Sequence, residues 1–137
     1  MNNIEILIPT YNEAGNIKKT IIELNEKGFF NITILDAQSE DNTVEIASSL
    51  NCKIIIDKEK KIGFGHSLIN GINSSKSEYC CIFDGDGSFN PDSISEMYNK
   101  LQSDKDFVFC SRYLGGNVSE DDTLVTKFGN FFFYKTY

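Results

Sequence analysis

IEILIPTYNEAGNIKKTIIELNEKGFFNITILD, residues 4–36, contains one full strand–turn–helix–strand cycle. Ile4 to Pro9 is a run of β-branched and apolar residues of strand length, and Asn31 to Asp36 (NITILD) is a second such run. Between them the turn Thr10-Tyr11-Asn12-Glu13-Ala14-Gly15 leads into a stretch whose apolar residues Ile17, Ile21 and Leu24 recur at helical spacing. The spacing predicts a helix over 16–27, and Gly28 stops it, because glycine adopts the left-handed conformation that ends helices at little steric cost. A strand, a helix and a strand in this order form a right-handed crossover between parallel neighbours.

The rhythm continues outward. Asp41 is placed to cap a helix through Leu50, Lys53 to Asp57 (KIIID) reads as a third strand, and a helix is expected over 66–75. Tyr79 to Asp84 (YCCIFD) is a fourth strand, nearly all apolar and so expected to be central in a sheet covered on both faces. Asn90-Pro91 opens a helix to Leu101, an N-cap followed by proline at the first helical position, and Asp106 to Ser111 (DFVFCS) is expected as a fifth strand. The fold class is α/β: an open, mostly parallel sheet with helices on both faces. One domain is expected over 1–116, with 117–137 a polar loop and the start of an aromatic-rich helix of the same domain.

Composition narrows the function. The 137 residues are 40% hydrophobic and 24% charged, with 13 Lys+Arg against 20 Asp+Glu and a net charge of −7. That balance is globular, and it lacks the basic face that gripping a nucleic-acid backbone needs, so no nucleic-acid partner is expected. No apolar run approaches a bilayer span, and the N-terminus does not resemble a signal peptide, which predicts a cytoplasmic protein. Cys52, Cys80, Cys81 and Cys110 have no C-x-x-C spacing and sit in apolar runs, so they are expected as buried, reduced thiols.

In an open parallel sheet, ligands bind beyond the carboxyl ends of the strands. Those ends here offer Pro9, Tyr11 and Glu13, then Asp36 and Gln38, then Gly63 and Gly65, then Asp84-Gly85-Asp86-Gly87-Ser88, then Arg112. Two carboxylates one residue apart, Asp84 and Asp86, can face one hard cation such as Mg²⁺ or Mn²⁺, which could bridge a diphosphate. Aspartate and glycine also make plain tight turns. Asp36 could bond a nucleobase or ribose, or simply cap a turn. Tyr11 could stack on a base, and Glu13 could accept from it or serve as a first-turn helix carboxylate. Gly63-Phe64-Gly65 lacks the third glycine of a dinucleotide fingerprint, and no histidine lies near Ser39 or Ser88 in sequence to make a hydrolase triad.

In order along the chain, these segments resemble the family 2 nucleotide-sugar glycosyltransferases of GT-A fold. Pro9-Thr10-Tyr11-Asn12-Glu13 is similar to their P-x-Y-N-E opening, and residues 36–43 (DAQSEDNT) to their D-D-G-S-x-D-G-T loop. Gly63-Phe64-Gly65-His66-Ser67, with Gly71-Ile72, resembles G-x-G-x-A; Asp84-Gly85-Asp86-Gly87-Ser88 with Pro91 resembles D-A-D-G-Q…P. Ser111-Arg112-Tyr113 with Gly115-Gly116 resembles the S-R-Y…G-G segment of the dolichyl- or polyprenyl-phosphate sugar transferases.

The resemblance implies an inverting transfer from a GDP- or UDP-linked sugar to an acceptor, which could be a lipid phosphate at a membrane surface. It implies that Pro9, Tyr11, Glu13 and Asp36 contact the nucleotide. Asp84, Gly85 and Asp86 would serve the ribose and diphosphate, and Asp84, Asp86 and Ser88 a Mg²⁺ or Mn²⁺ ion. Asp86 and Arg112 would act on the departing diphosphate. Ala37, Gln38 and Asn42 depart from the pattern, standing where an aspartate and two glycines are usual. The chain is expected to be the N-terminal, donor-binding part of such an enzyme. Its aromatic segment (Phe131, Phe132, Phe133, Tyr134, Tyr137) is a candidate homodimer or membrane contact. Two alternatives stand beside this. One is a non-catalytic or partner-dependent nucleotide-sugar-binding module. The other is a haloacid-dehalogenase-like phosphatase, whose first motif residues 82–89 also resemble, with Asp84 as nucleophile and Asp86 as acid.

Overall fold

The computed structural model describes residues 3–58, 63–103 and 105–110. The elements in order are β1 (Ile4–Thr10), α1 (Ile17–Glu26), β2 (Ile32–Asp36), α2 (Thr43–Ser49), β3 (Lys53–Ile56), α3 (Phe64–Ser74), β4 (Tyr79–Ile82) and α4 (Asp92–Leu101). Residues 1–96 form one compact unit, and the chain from 97 onward belongs to a second. All three strand pairings are parallel, and the sheet order is β3-β2-β1-β4.

Burial follows the apolar pattern. Ile6, Leu7 and Ile8 of β1 and Ile34 and Leu35 of β2 are almost wholly excluded from solvent, each stabilising by about 1.5–3 kcal/mol. Alternation divides β1 into two faces. On one, Ile8 and Thr10 gather around Gly85 together with Ile17 of α1, whose inner stripe is Ile17, Thr20, Ile21 and Leu24. On the other, Glu5 meets Thr33 and also Ser75 beyond the end of α3. Gly28, at φ +85°, ends α1 and lets the Phe29 amide return to the Leu24 carbonyl at 3.0 Å.

The helix-start signals hold locally. Asn90 Oδ1 accepts from the Asp92 amide at 3.0 Å, and Asp41 Oδ1 from the Thr43 amide at 3.0 Å. Three expectations are corrected. Among the described residues β4 is not central: it pairs with β1 alone, and Cys80 and Ile82 are exposed. An apolar run reports two faces that dislike water, and says nothing of how many edges are paired. The expected fifth strand does not form over residues 106–110, where Phe107 and Phe109 are 78% and 88% exposed; alternation becomes a strand only when a neighbour supplies the ladder. The thiols are free but not uniformly buried, Cys80 and Cys110 being exposed and Cys52 and Cys81 half-buried. Burial pushes the Cys52 thiol up to about 11. Ser111, Arg112, the Gly115-Gly116 pair and the aromatic segment at 131–137 lie outside the described residues.

Candidate functional site

The strand order puts a crevice where the chain changes direction across the sheet. From β1 the chain steps outward to β2 and β3, then returns to the opposite side of β1 as β4. A parallel sheet opens beyond the carboxyl ends of strands at such a reversal, because the two flanking loops turn away to opposite faces. The segments brought together there are Pro9 to Glu13, at and after the end of β1, and Asp84 to Ser88 after β4. The Phe83 amide donates to the Leu7 carbonyl at 3.0 Å, carrying the pairing one residue past β4 and up to Asp84.

Gly85 makes the approach possible. A Cβ built there would lie 3.2 Å from Ile8 Cγ2 and 3.3 Å from Thr10 Cγ2, tighter than ordinary contact, so any larger residue requires Ile8 or Thr10 to give way by a few tenths of an ångström. Thr20 Oγ1 donates to the Gly85 carbonyl at 3.3 Å. Below the loop, the rings of Phe83 and Phe89 meet edge to face at 5.6 Å. Asp84 is half-buried, Asp86 and Ser88 are exposed, and the Ser88 amide donates to Asp86 Oδ1 at 2.8 Å.

Across the crevice, the loops after β1 and β2 are stapled together. The Asn12 amide donates to Ser39 Oγ at 2.9 Å, the Glu13 amide to Thr43 Oγ1 at 2.8 Å, and the Ala14 amide to Asp41 Oδ2 at 3.0 Å. In return the Glu40 amide donates to Asn12 Oδ1 at 2.8 Å. The Thr43 hydroxyl, assisted by the Ala14 and Thr43 amides, holds the Asp41 carboxyl below its ordinary range, against a smaller opposing effect of burial. Tyr11 is 36% exposed, and Pro9 and Glu13 on either side of it in sequence are half-buried.

Asp36 is placed differently from the other candidates. It is 1% exposed and accepts from Thr10 Oγ1 at 3.0 Å, the Ser39 amide at 2.8 Å and the Ser39 hydroxyl at 2.6 Å. A carboxylate has about four acceptor positions, so at most one remains for an incoming donor. Sequence reasoning missed Asp57, 5% exposed, whose carboxylate accepts from Ser67 Oγ and, at 3.5 Å, from Asn70 Nδ2. Its signal was in plain view: like Asp36 and Asp84, it ends an apolar run.

The residues at the crevice fit a divalent cation of the hard, oxygen-seeking kind. Among the described residues no group of three or more His, Cys, Asp or Glu side chains could hold a metal by itself. A pair of carboxylates that leaves the remaining positions to water and phosphate oxygens is what Mg²⁺ and its like accept. An open groove of about 300 Å³ between α1 and residues 87–91 lies apart from this chemistry. Both of its lysines are paired, Lys19 with Glu23 at 3.7 Å and Lys27 with Asp92 at 2.5 Å.

Residues 5–137 match glycosyl transferase family 2. The chain belongs to that family. The match includes the Asp84–Ser88 segment, which removes the ground for the phosphatase reading. Among similar proteins is the UDP-N-acetylglucosamine–dolichyl-phosphate N-acetylglucosaminyltransferase of Methanococcus voltae, 30% identical over 147 residues, covering 93% of this chain and 59% of that protein. The dolichol-phosphate mannosyltransferase of Pyrococcus furiosus is 26% identical over 124 residues, covering 86% of this chain and 35% of the other. The family 2 chain thus spans between about a third and three-fifths of the curated relatives it matches. Glucosyl-3-phosphoglycerate synthase of Mycobacterium tuberculosis, solved with UDP, superposes with a TM-score of 0.64 at 18% identity, covering 75% of this chain and 41% of that one. The same enzyme with Mn²⁺, UDP and glucosyl-3-phosphoglycerate gives 0.61 at 17% identity, over 72% and 39%. At that identity the likeness establishes the GT-A, Rossmann-like fold.

Proposed function

We propose that this family 2 chain binds a nucleoside-diphosphate sugar in the crevice between β1 and β4, as the donor half of an inverting transferase whose acceptor is a polyprenyl phosphate. One observation carries the reading: the reversal of strand order sets Tyr11–Glu13 beside Asp84-Gly85-Asp86, on a Gly85 backbone pressed against β1. The relatives support the substrate classes, since both carry a dolichyl phosphate in their names and the solved synthase holds UDP and Mn²⁺.

In this reading Pro9, Tyr11 and Glu13 line the nucleoside end. Asp36 holds Thr10 and Ser39 in place and offers its remaining acceptor position to the base. Asp84 and Gly85 lie along the ribose and diphosphate, and Asp86, with Ser88 and Asp84, would hold Mg²⁺ or Mn²⁺. The bound metal supplies positive charge to the departing diphosphate. Arg112 is assigned to the same diphosphate or to the acceptor phosphate. A lipid phosphate is already an anion, so its oxygen attacks the anomeric carbon from the face opposite the diphosphate and no strong base is required. The acceptor would bring the chain to a membrane surface from the cytoplasmic side, although no helix among the described residues is long and apolar enough to cross one.

Calorimetric titration with UDP-N-acetylglucosamine and GDP-mannose, each with Mn²⁺ and with EDTA, tests the reading. Metal-dependent binding of one donor is expected, and Asp86→Ala should abolish it while leaving the far-ultraviolet dichroism unchanged. Binding that ignores both EDTA and Asp86→Ala sinks the metal assignment. Metal-dependent binding without donor hydrolysis or transfer favours a binding module over an enzyme.

A further inference from the structure

Asp57, one residue past β3, stands between the end of β2 with its following loop and the start of α3. Its amide donates to the Asp36 carbonyl at 2.9 Å, and its own carbonyl accepts from Gln38 Nε2 at 2.9 Å. Its buried carboxylate faces the other way and takes the hydroxyl of Ser67 and the amide of Asn70, both in the first two turns of α3. Gln38 has a left-handed backbone at φ +60°, a conformation that costs a non-glycine residue energy. The bond from its side chain to Asp57 offsets that cost and fixes the loop after β2. Ser67 is 2% exposed and Asp57 5%, so this linkage works out of water, where a charge-assisted bond is strong.

We propose that Asp57 is a positioning residue of the donor site: it locks the loop at 37–43 to the start of α3, so that the nucleoside end is held from two elements at once. The proposal rests on the donor-site reading above. Asp57 acts through Asp36, Gln38 and Ser67, not on the ligand. The carboxylate–hydroxyl bond joins α3 to the sheet, and the Gln38 bond joins the sheet to the loop, so loosening one end slackens the other.

Ser67→Ala tests this with little risk to folding, because it removes one hydroxyl from a helix and leaves the packing volume nearly intact. Hydrogen exchange is read at the Ser39 and Asp57 amides, near the linkage, and at the Ile6 amide, which donates to the Asn31 carbonyl just before β2 begins, at the opposite end of the strands. Ser39 and Asp57 should exchange roughly tenfold faster in the variant while Ile6 keeps its wild-type rate. Asp57→Asn, which keeps the size and removes the charge, should act in the same direction. Unchanged exchange at Ser39, or equal acceleration at all three amides, overturns the coupling and leaves an ordinary structural contact. Titration with UDP and GDP in Mn²⁺ reads the second half: wild-type binding should weaken roughly tenfold in Ser67→Ala. Coupled exchange with unchanged affinity overturns the positioning role. Coupled exchange in a wild-type chain that binds neither nucleotide overturns the donor-site reading instead.

Discussion

Glu5 lies at the N-terminal edge of β1, away from the crevice, and is 4% exposed. Burial alone would raise its carboxyl, but hydrogen bonds from Ser75 and Thr33, both at 2.5 Å, and Lys53 at 3.6 Å outweigh it and hold the group below its ordinary value of 4.5. A carboxyl whose folded value is depressed stabilises the fold above its unfolded value and loses that contribution as pH falls through the folded one. Glu5→Gln should therefore cost about 1–3 kcal/mol near neutrality. The gap to wild type should close once pH falls below 4.5, as urea melts at stepped pH would read. A gap that persists in acid would mean that size, not charge, matters there. Gly85 makes a second residue-scale case. Alanine there must push Ile8 or Thr10 aside, at about 1–3 kcal/mol, and the shift moves Asp84 and Asp86 together. Gly85→Ala is expected to weaken metal-dependent donor binding as well as lower the melting temperature; a stability loss with unchanged binding would detach Gly85 from the site.

At the scale of elements, α3 is tied to the sheet at three points along its length. Asp57 engages its first turns, Ser75 just past its end reaches Glu5, and Gly71 between them lies on Leu35. A Cβ at 71 would stand 2.5 Å from Leu35 Cδ1, far inside contact distance. Helix propensity favours alanine over glycine by about 1 kcal/mol, while overpacking costs about 1–3 kcal/mol, so the clash decides the sign. Gly71→Ala should destabilise, and Leu35→Val in the same chain should recover part of the loss, which a double-mutant cycle of denaturant midpoints measures. Additive losses would place the strain elsewhere. The elements were largely legible in sequence: four strands and four helices fall within about two residues of their expected bounds, because each is set by local signals such as Gly28 or Asn90-Pro91. The failures came where partners decide. The alternation of Phe107 and Phe109 looked like a strand but has none beside it among the described residues, and the apolar YCCIFD run could not say that β4 has one neighbour there.

For the whole molecule, the crevice depended on a fact that periodicity does not carry, the order of strands in space. The residues of the site were visible one loop at a time. Tyr11, Glu13, Asp84 and Asp86 were each marked by their place after a strand, yet only the β3-β2-β1-β4 order shows that the first pair adjoins the second. Asp36 was visible as a strand-end carboxylate, but its three donors were not, since the Thr10 bond crosses from β1 to β2 and the two Ser39 bonds depend on how the following turn folds back. That order also sets a schedule for the growing chain. β1 finds β2 across 26 residues, from Ile6 to Ile32, but its other side waits for Tyr79 to reach Ile4 across 75. Longer closures cost more entropy and come later. During synthesis the strip from Ile4 to Ile8 therefore spends time as a bare apolar edge, the kind that recruits strands from other chains. The arrival of β4 both covers that strip and brings the acidic loop home, so the flank of β1 is closed at the moment the crevice comes into existence.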